Sequence, residues 1–365
     1  MARGRLIAFH ALMWSGTIVV CLAIALLYFG YRGQTLPRIP VRLTGDWIIE
    51  RDDEIGFVPV RNGSTQLDFQ AGFRFHVFTD RRGARVNAPG EQTPEHVDVV
   101  AIGCSFTWGQ GVESEMTYPQ QLGKMLDVSI ANLAMGGYGS VQSLQRLRRA
   151  ADLKPKVVIY GFMQDHLRRN LSPCAPNFVP YCLPVSYLER QDGRIVVRRP
   201  HMEYFSPEDN RAFMTEFSMR DPSGVRAWFE GAKWAARMEL FKYRNADTIG
   251  FDASPEIAAA GIQAMIDAMV REAHGMGASL IVLNIPYLPR GRVQTLPLAL
   301  KRAVEGKDLT FVDFAPVAAE YYDRHPTGTL TNGLDAHPNP TAHRMMAETL
   351  ASEAGSFVER VNARR

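Results

Sequence analysis

Ser105, at the end of an apolar run, and the pair Asp335 and His337 near the carboxyl terminus are residue types that together could carry acyl transfer. A serine hydroxyl is a weak nucleophile and needs a base to take its proton. The base needs an acid group to fix its tautomer and stabilise the imidazolium. Ser105, His337 and Asp335 can fill those three roles. In VDVVAIGCSFTWGQG, Val97 to Gly111, the apolar run stops at Gly103, and residues suited to a turn and then a helix follow. A serine just past the carboxyl end of a parallel strand, opening a helix, stands where α/β folds bind ligands and where backbone N–H groups face an anion. Alone, the turn at Gly103 reads equally well as an ordinary strand-to-helix connection with Ser105 as helix cap. The base must come from elsewhere, and GLDAHPNPTAH, Gly333 to His343, supplies it just ahead of a helix beginning near Pro340.

On these residues the chain resembles the SGNH hydrolases, also called GDSL-type esterases and lipases. The family's first block, Gly-Asp-Ser-x-(Thr/Ser), is matched by Gly103, Ser105 and Thr107, and its last block, Asp-x-(x)-His-Pro, by Asp335, His337 and Pro338. The resemblance implies Ser105 as nucleophile, His337 as base and Asp335 as its orienting acid. It also implies an oxyanion hole built from the N–H groups of Ser105 and Gly137 and the side-chain amide of Gln164. Gly137 lies in NLAMGGYG, Asn132 to Gly139. Glycine suits that place because backbone approaches an oxyanion closely only where no side chain intervenes, although the same residue serves a plain turn. The third block normally reads Gly-x-Asn-Asp. Here YGFMQDHLRRN puts Gln164 at the asparagine position, ahead of Asp165, keeping an N–H donor but adding a methylene and a rotatable bond. Cys104 stands where the family has an acid that supports the turn, and it could act as nucleophile only with its thiol facing the site.

The elements that must position these groups follow a strand–helix alternation. Strands are expected near 97–103, 128–134, 156–162, 278–286 and 309–315, separated by helical patterns such as Val141, Leu144, Leu147 and Ala151. A last helix near 340–361 carries Met346, Leu350, Phe357 and Val361 at helical spacing as core. This predicts a three-layer α/β/α sandwich around a five-stranded parallel sheet of SGNH, flavodoxin-like kind, with Ser105 and His337 at its carboxyl edge. Residues 97–365 form the expected SGNH-like catalytic domain. Within it, 170–254 break the alternation as an insertion too long for an unstructured loop. Its aromatics Tyr204, Phe205, Trp228 and Trp234 could line a carbohydrate or acyl site, but helically spaced aromatics more often pack a core. Residues 35–96 read as a lead-in with short strands, FRFHVFTD followed by Arg81-Arg82-Gly83 among them. No chemistry is evident there.

Residues 1–34 read as an N-terminal membrane anchor. Positions 6–30 form an apolar stretch whose only readily ionisable side chain is His10, and as a helix they would run roughly 37 Å, enough for a bilayer core of about 30 Å. A cleaved signal peptide is the rival reading, but the apolar stretch is long for a signal-peptide core. Arg3 and Arg5 before the stretch and Arg32, Arg38 and Arg42 after it leave orientation open. Cys174 and Cys182 flank a short proline-containing loop where a disulfide would form in an oxidising compartment; two buried thiols are the alternative. A net charge of +3, without a basic block interleaved with aromatics, argues against a dedicated nucleic-acid binder. No metal or organic cofactor is implied, since no cluster shows ligand spacing. The expectation is a single-pass membrane protein with an extracytoplasmic domain, a serine esterase acting on acyl, above all acetyl, esters of an envelope or exported glycan or lipid. A polysaccharide O-acetyltransferase using the same triad and a non-catalytic carbohydrate-binding or assembly protein with the same fold are the alternatives. The Ser105 to His337 distance discriminates enzyme from binding protein.

Overall fold

The computed structural model describes residues 2–34, 41–69, 73–175, 182–204, 208, 223–244, 254–288, 293–333 and 335–353. Strands β1 (Val41–Gly45), β2 (Ile49–Asp52), β3 (Gly56–Pro59), β4 (Ser64–Phe69), β5 (Phe73–Thr79) and β6 (Arg85–Val86) precede the expected core. β7 (Val99–Gly103), β8 (Ile130–Asn132), β9 (Val157–Phe162), β12 (Ser279–Asn284) and β13 (Thr310–Asp313) are the five expected strands. Between and after them come the hairpins β10 (Tyr187–Gln191) with β11 (Arg194–Arg198), and β14 (Thr331–Asn332) with β15 (Asp335–Pro338). The helices are α1 (Ala2–Gln34), α2 (Ser105–Trp108), α3 (Tyr118–Leu126), α4 (Ser140–Arg148), α5 (Asp165–Arg169), α6 (Val225–Arg244), α7 (Pro255–Gly275), α8 (Leu298–Val304), α9 (Ala315–Arg324) and α10 (Pro340–Ser352).

The central sheet runs β1-β4-β5-β6-β8-β7-β9-β12-β13. Its last five strands are parallel to one another, as the alternation predicts. The first four are antiparallel additions from the lead-in, joined through Arg85 opposite Asn132 on β8. The sheet is therefore nine-stranded and mixed, since the lead-in adds to its edge instead of standing apart.

Alternation along the parallel strands divides the core in two. Val100, Ile102, Val158, Tyr160, Leu280 and Val282 point to one face, where α4, α7 and α8 pack. Val99, Val157, Ile159, Ile281 and Leu283 point to the other, covered by α3, α9 and α10. Both faces of β7, β9 and β12 are buried, which is why these strands read as unbroken apolar runs. Met346 and Leu350 of α10 lie in this core, while Phe357 and Val361 fall outside the described residues. A third cluster joins the β2–β3 hairpin and β4–β5 to Trp108, the last residue of α2, and to Tyr138 in the loop that follows β8.

Candidate active site

The turn after β7 is built around space left by two glycines. β7 and β9 are paired with Gly103 opposite Gly161. A Cβ on Gly161 would run into the Thr107 hydroxyl, and one on Gly103 would come within 2.5 Å of it. The Thr107 Oγ1 accepts from the Tyr118 hydroxyl at 3.1 Å, and its carbonyl accepts from the Asn132 amide at 3.1 Å. The first helical turn thus folds back over the strand end, with Gly103 at φ 152° and Ser105 opening α2. Ser105 is 4% exposed.

β15 supplies the partner from 232 residues away: His337 Nε2 lies 2.8 Å from Ser105 Oγ. Its ring tilts against Phe106 at a centroid distance of 5.1 Å. The hairpin that carries it is fixed from outside the main sheet. Asn332 Nδ2 donates to the Pro338 carbonyl at 3.2 Å, and Asn339 Nδ2 to the Thr329 carbonyl at 2.8 Å. Asn339 also caps α10, its Oδ1 accepting from the Ala342 N–H at 3.0 Å. Asp335 stands two positions upstream of His337 on the same strand; its side chain lies outside the described residues.

The remaining expected residues reach the same edge. Beyond β8, Leu133 and Met135 donate their N–H groups to the Ala101 and Gly103 carbonyls at 2.8 and 3.2 Å, carrying the chain along β7 toward Gly137. Gly137 has φ 81°, a conformation costly for any residue with a Cβ. Gln164 follows the end of β9 at the residue before α5, makes no side-chain capping bond, and is exposed. Among the described residues, the N–H groups of Ser105 and Gly137 and the Gln164 amide have no hydrogen-bond partner. Open donors at such an edge suit a developing negative charge.

Cys104 is fully buried, and burial pushes its thiol pKa up, so it stays protonated. That environment speaks against a thiolate nucleophile beside Ser105.

Several positioning residues have no sequence signature. Arg85, from the lead-in, is buried and donates to the carbonyls of Trp108, Gly109 and Val112 at 2.6, 2.5 and 2.5 Å, and to that of His76 at 3.1 Å. Burial lowers its pKa to about 9, and those carbonyls compensate the charge that remains. It grips the loop directly after α2. Arg169 donates to the Tyr138 carbonyl at 3.1 Å and lies 3.7 Å from Asp165, so the third block holds the second. Asp165 in turn accepts from Tyr287 at 3.0 Å; burial first, and then that carboxylate, push the tyrosine pKa up to about 12. Arg85 follows the Arg81-Arg82-Gly83 turn, and nothing in the sequence distinguishes it from Arg81 or Arg82.

The insertion aromatics pack instead of lining this edge. Trp234 is buried in α6, Trp228 meets Gly30 of α1, and Tyr204 stacks edge-on to Phe241. Phe205 lies outside the described residues.

No family model and no curated protein matches the chain. Among solved structures it is similar to a protein described as lipolytic and of the G-D-S-L family from Desulfitobacterium hafniense, 17% identical, covering 70% of this chain and 97% of that one, TM-score 0.34. It is also similar to an alpha/beta hydrolase enzyme from the Lake Arreo metagenome, 14% identical, with 70% and 94% covered and TM-score 0.39. An acetyl xylan esterase from Butyrivibrio proteoclasticus is 11% identical, with 74% and 66% covered and TM-score 0.35.

Proposed function

We propose that the chain is an SGNH-type serine ester hydrolase. The observation that carries this reading is the 2.8 Å contact between Ser105 Oγ and His337 Nε2, two residues that only the fold brings together. Ser105 attacks an ester carbonyl while His337 takes its proton; the carbonyl π pair moves onto oxygen, and the N–H groups of Ser105 and Gly137 with the Gln164 amide receive that charge. Collapse of the tetrahedral adduct expels the alkoxide, which takes the proton from His337 and leaves an acyl-serine. Water, deprotonated by the same imidazole, then releases the acid and restores Ser105. Asp335 orients His337 in this scheme.

The substrate class follows from placement. The Cys174–Cys182 disulfide, with Cα atoms 4.8 Å apart, favours an oxidising compartment. The helix window Leu12–Gln34 is long and apolar enough to cross a membrane. Together they support a single-pass anchor holding residues 97–365, insertion 170–254 included, outside the cytoplasm. Acyl, above all acetyl, esters of envelope or exported glycans or lipids are then within reach.

The test uses full-length protein in detergent. It should hydrolyse a short-chain aryl ester and be labelled by a serine-directed fluorophosphonate, with both signals lost in Ser105→Ala. Labelling that survives in Ser105→Ala but disappears in Cys104→Ala would overturn the assignment.

A further inference from the structure

α6, in the middle of the insertion, carries more exposed apolar surface than a helix packed only on its own protein needs. Val225, Phe229, Leu240 and Tyr243 are 73%, 50%, 48% and 84% exposed. At 3.6 residues per turn these four, with the half-buried Ala236, fall within a stripe about 60° wide running the length of the helix. The opposite side is committed: Gly231, Trp234, Ala235 and Met238 are buried. Along one border of the stripe stand Arg226, Lys233, Arg237 and Arg244, all exposed. Lys233 lies 3.6 Å from Glu230, and the Arg237 guanidinium lies over the Trp234 ring at 5.5 Å.

The position of α6 says what covers the stripe. α1 packs against it at the carboxyl end of the candidate span Leu12–Gln34. A Cβ on Gly30 would overlap the Trp228 ring, one on Gly33 would overlap the Gly231 backbone, and Arg32 pairs with Glu239 at 3.0 Å. A helix in backbone contact with the last turn of a span lies at the level where that span leaves the bilayer. An apolar stripe bordered by arginine and lysine at that level has the composition of an interfacial helix, whose apolar face enters the acyl boundary while cations meet anionic headgroups. A second copy of the chain would have to meet the same cationic border with a like charge.

We propose that α6 is a second membrane contact: it lies in the bilayer interface beside α1, with Val225, Phe229, Leu240 and Tyr243 in lipid and Arg226, Lys233, Arg237 and Arg244 against anionic headgroups. This rests on reading α1 as a retained span. The helix then fixes the orientation of the insertion relative to the membrane, which a single flexible anchor could not do.

The test places an environment-sensitive fluorophore on cysteine in full-length protein, reconstituted in vesicles of equal parts phosphatidylcholine and phosphatidylglycerol. Phe229→Cys and Tyr243→Cys, each in a Cys21→Ser background, report the stripe. Gln191→Cys, at the exposed end of β10, reports a surface elsewhere, and native Cys21 reports the span. The expected result is that nitroxide-bearing lipid quenches most of the fluorescence at 229, 243 and 21, while aqueous iodide quenches only 191. Iodide quenching at 229 and 243 equal to that at 191, with Cys21 still quenched by lipid, overturns the proposal and leaves the anchor standing. Loss of lipid quenching at Cys21 as well removes anchor and interfacial helix together. Labels at 229 and 243 shielded from iodide yet unquenched by lipid place protein, such as a second copy, on the stripe and likewise overturn it.

Discussion

Ser105 and His337 meet at one contact, but two unlike kinds of structure hold them there. The nucleophile turn grows out of the middle of the sheet: β7 has partners on both sides, and the Thr107 hydroxyl is seated against Gly103 and Gly161. The base hairpin lies outside that sheet, and local amide bonds from Asn332 and Asn339 tie it down together with the helix that follows. One side is positioned by close packing and by the buried Arg85, the other by local amide hydrogen bonds of ordinary strength. The first should fail in large steps when a buried contact is lost or overfilled, the second in small ones.

The largest effect should come from Arg85, which serves the nucleophile side alone. Arg85→Met leaves the carbonyls of Trp108, Gly109 and Val112 buried without their donor, and each buried acceptor left unsatisfied costs about 1–3 kcal/mol. Chemical denaturation should show that loss, and ester hydrolysis should fall with it. A variant of wild-type stability would show that the loop after α2 does not need the lead-in.

Next comes Gly161→Ala. The added methyl enters space held by the Thr107 hydroxyl, and overpacking of this kind costs about 1–3 kcal/mol. Because the displaced residue is two positions from Ser105, kcat should drop by more than the stability loss explains at temperatures where the protein stays folded. The sharper comparison is Gly161→Ala with Thr107→Ala, which removes the hydroxyl in the way and should restore part of the rate.

On the base side, Asn339→Ala should be milder. It removes a helix cap and one tie to the Thr329 carbonyl, about 1 kcal/mol by the usual cost of losing a cap. Thermal unfolding would register it as about 1–2 °C in a chain of 365 residues. An effect as large as that of Arg85→Met would erase the distinction between the two sides.

The smallest effect is absent at neutral pH and grows in acid. His343, in α10 behind the hairpin, is buried and accepts the Tyr118 N–H at 3.2 Å, and burial lowers its pKa from 6.5 to about 3. The unfolded chain therefore binds a proton below about 6.5 that the folded chain refuses until about 3, so stability falls as pH drops through that window. His343→Gln should flatten that part of the profile. His166, buried and likewise held well below its usual value, gives a slope of the same sign that the variant leaves in place.

The five parallel strands, the serine at the end of β7 and the histidine ahead of α10 were legible in the sequence. Strands buried on both faces write themselves as apolar runs, and a reactive turn needs glycine and a small hydroxyl at fixed spacing. The Cys174–Cys182 pairing was legible only as one of two outcomes, because short separation permits a bridge without choosing it over two buried thiols. What tertiary structure alone decided was partnership. Arg85 looks no different from Arg81 or Arg82 until strand pairing puts it against the loop after α2, and Trp228 looks like a site aromatic until α1 takes it as a neighbour. A sequence records which side chains can be buried, charged or reactive along the chain, whereas contacts across 232 residues, such as His337 with Ser105, depend on how sheet and helices stack. That stacking is a sum over many weak, non-directional contacts, and no single residue carries it.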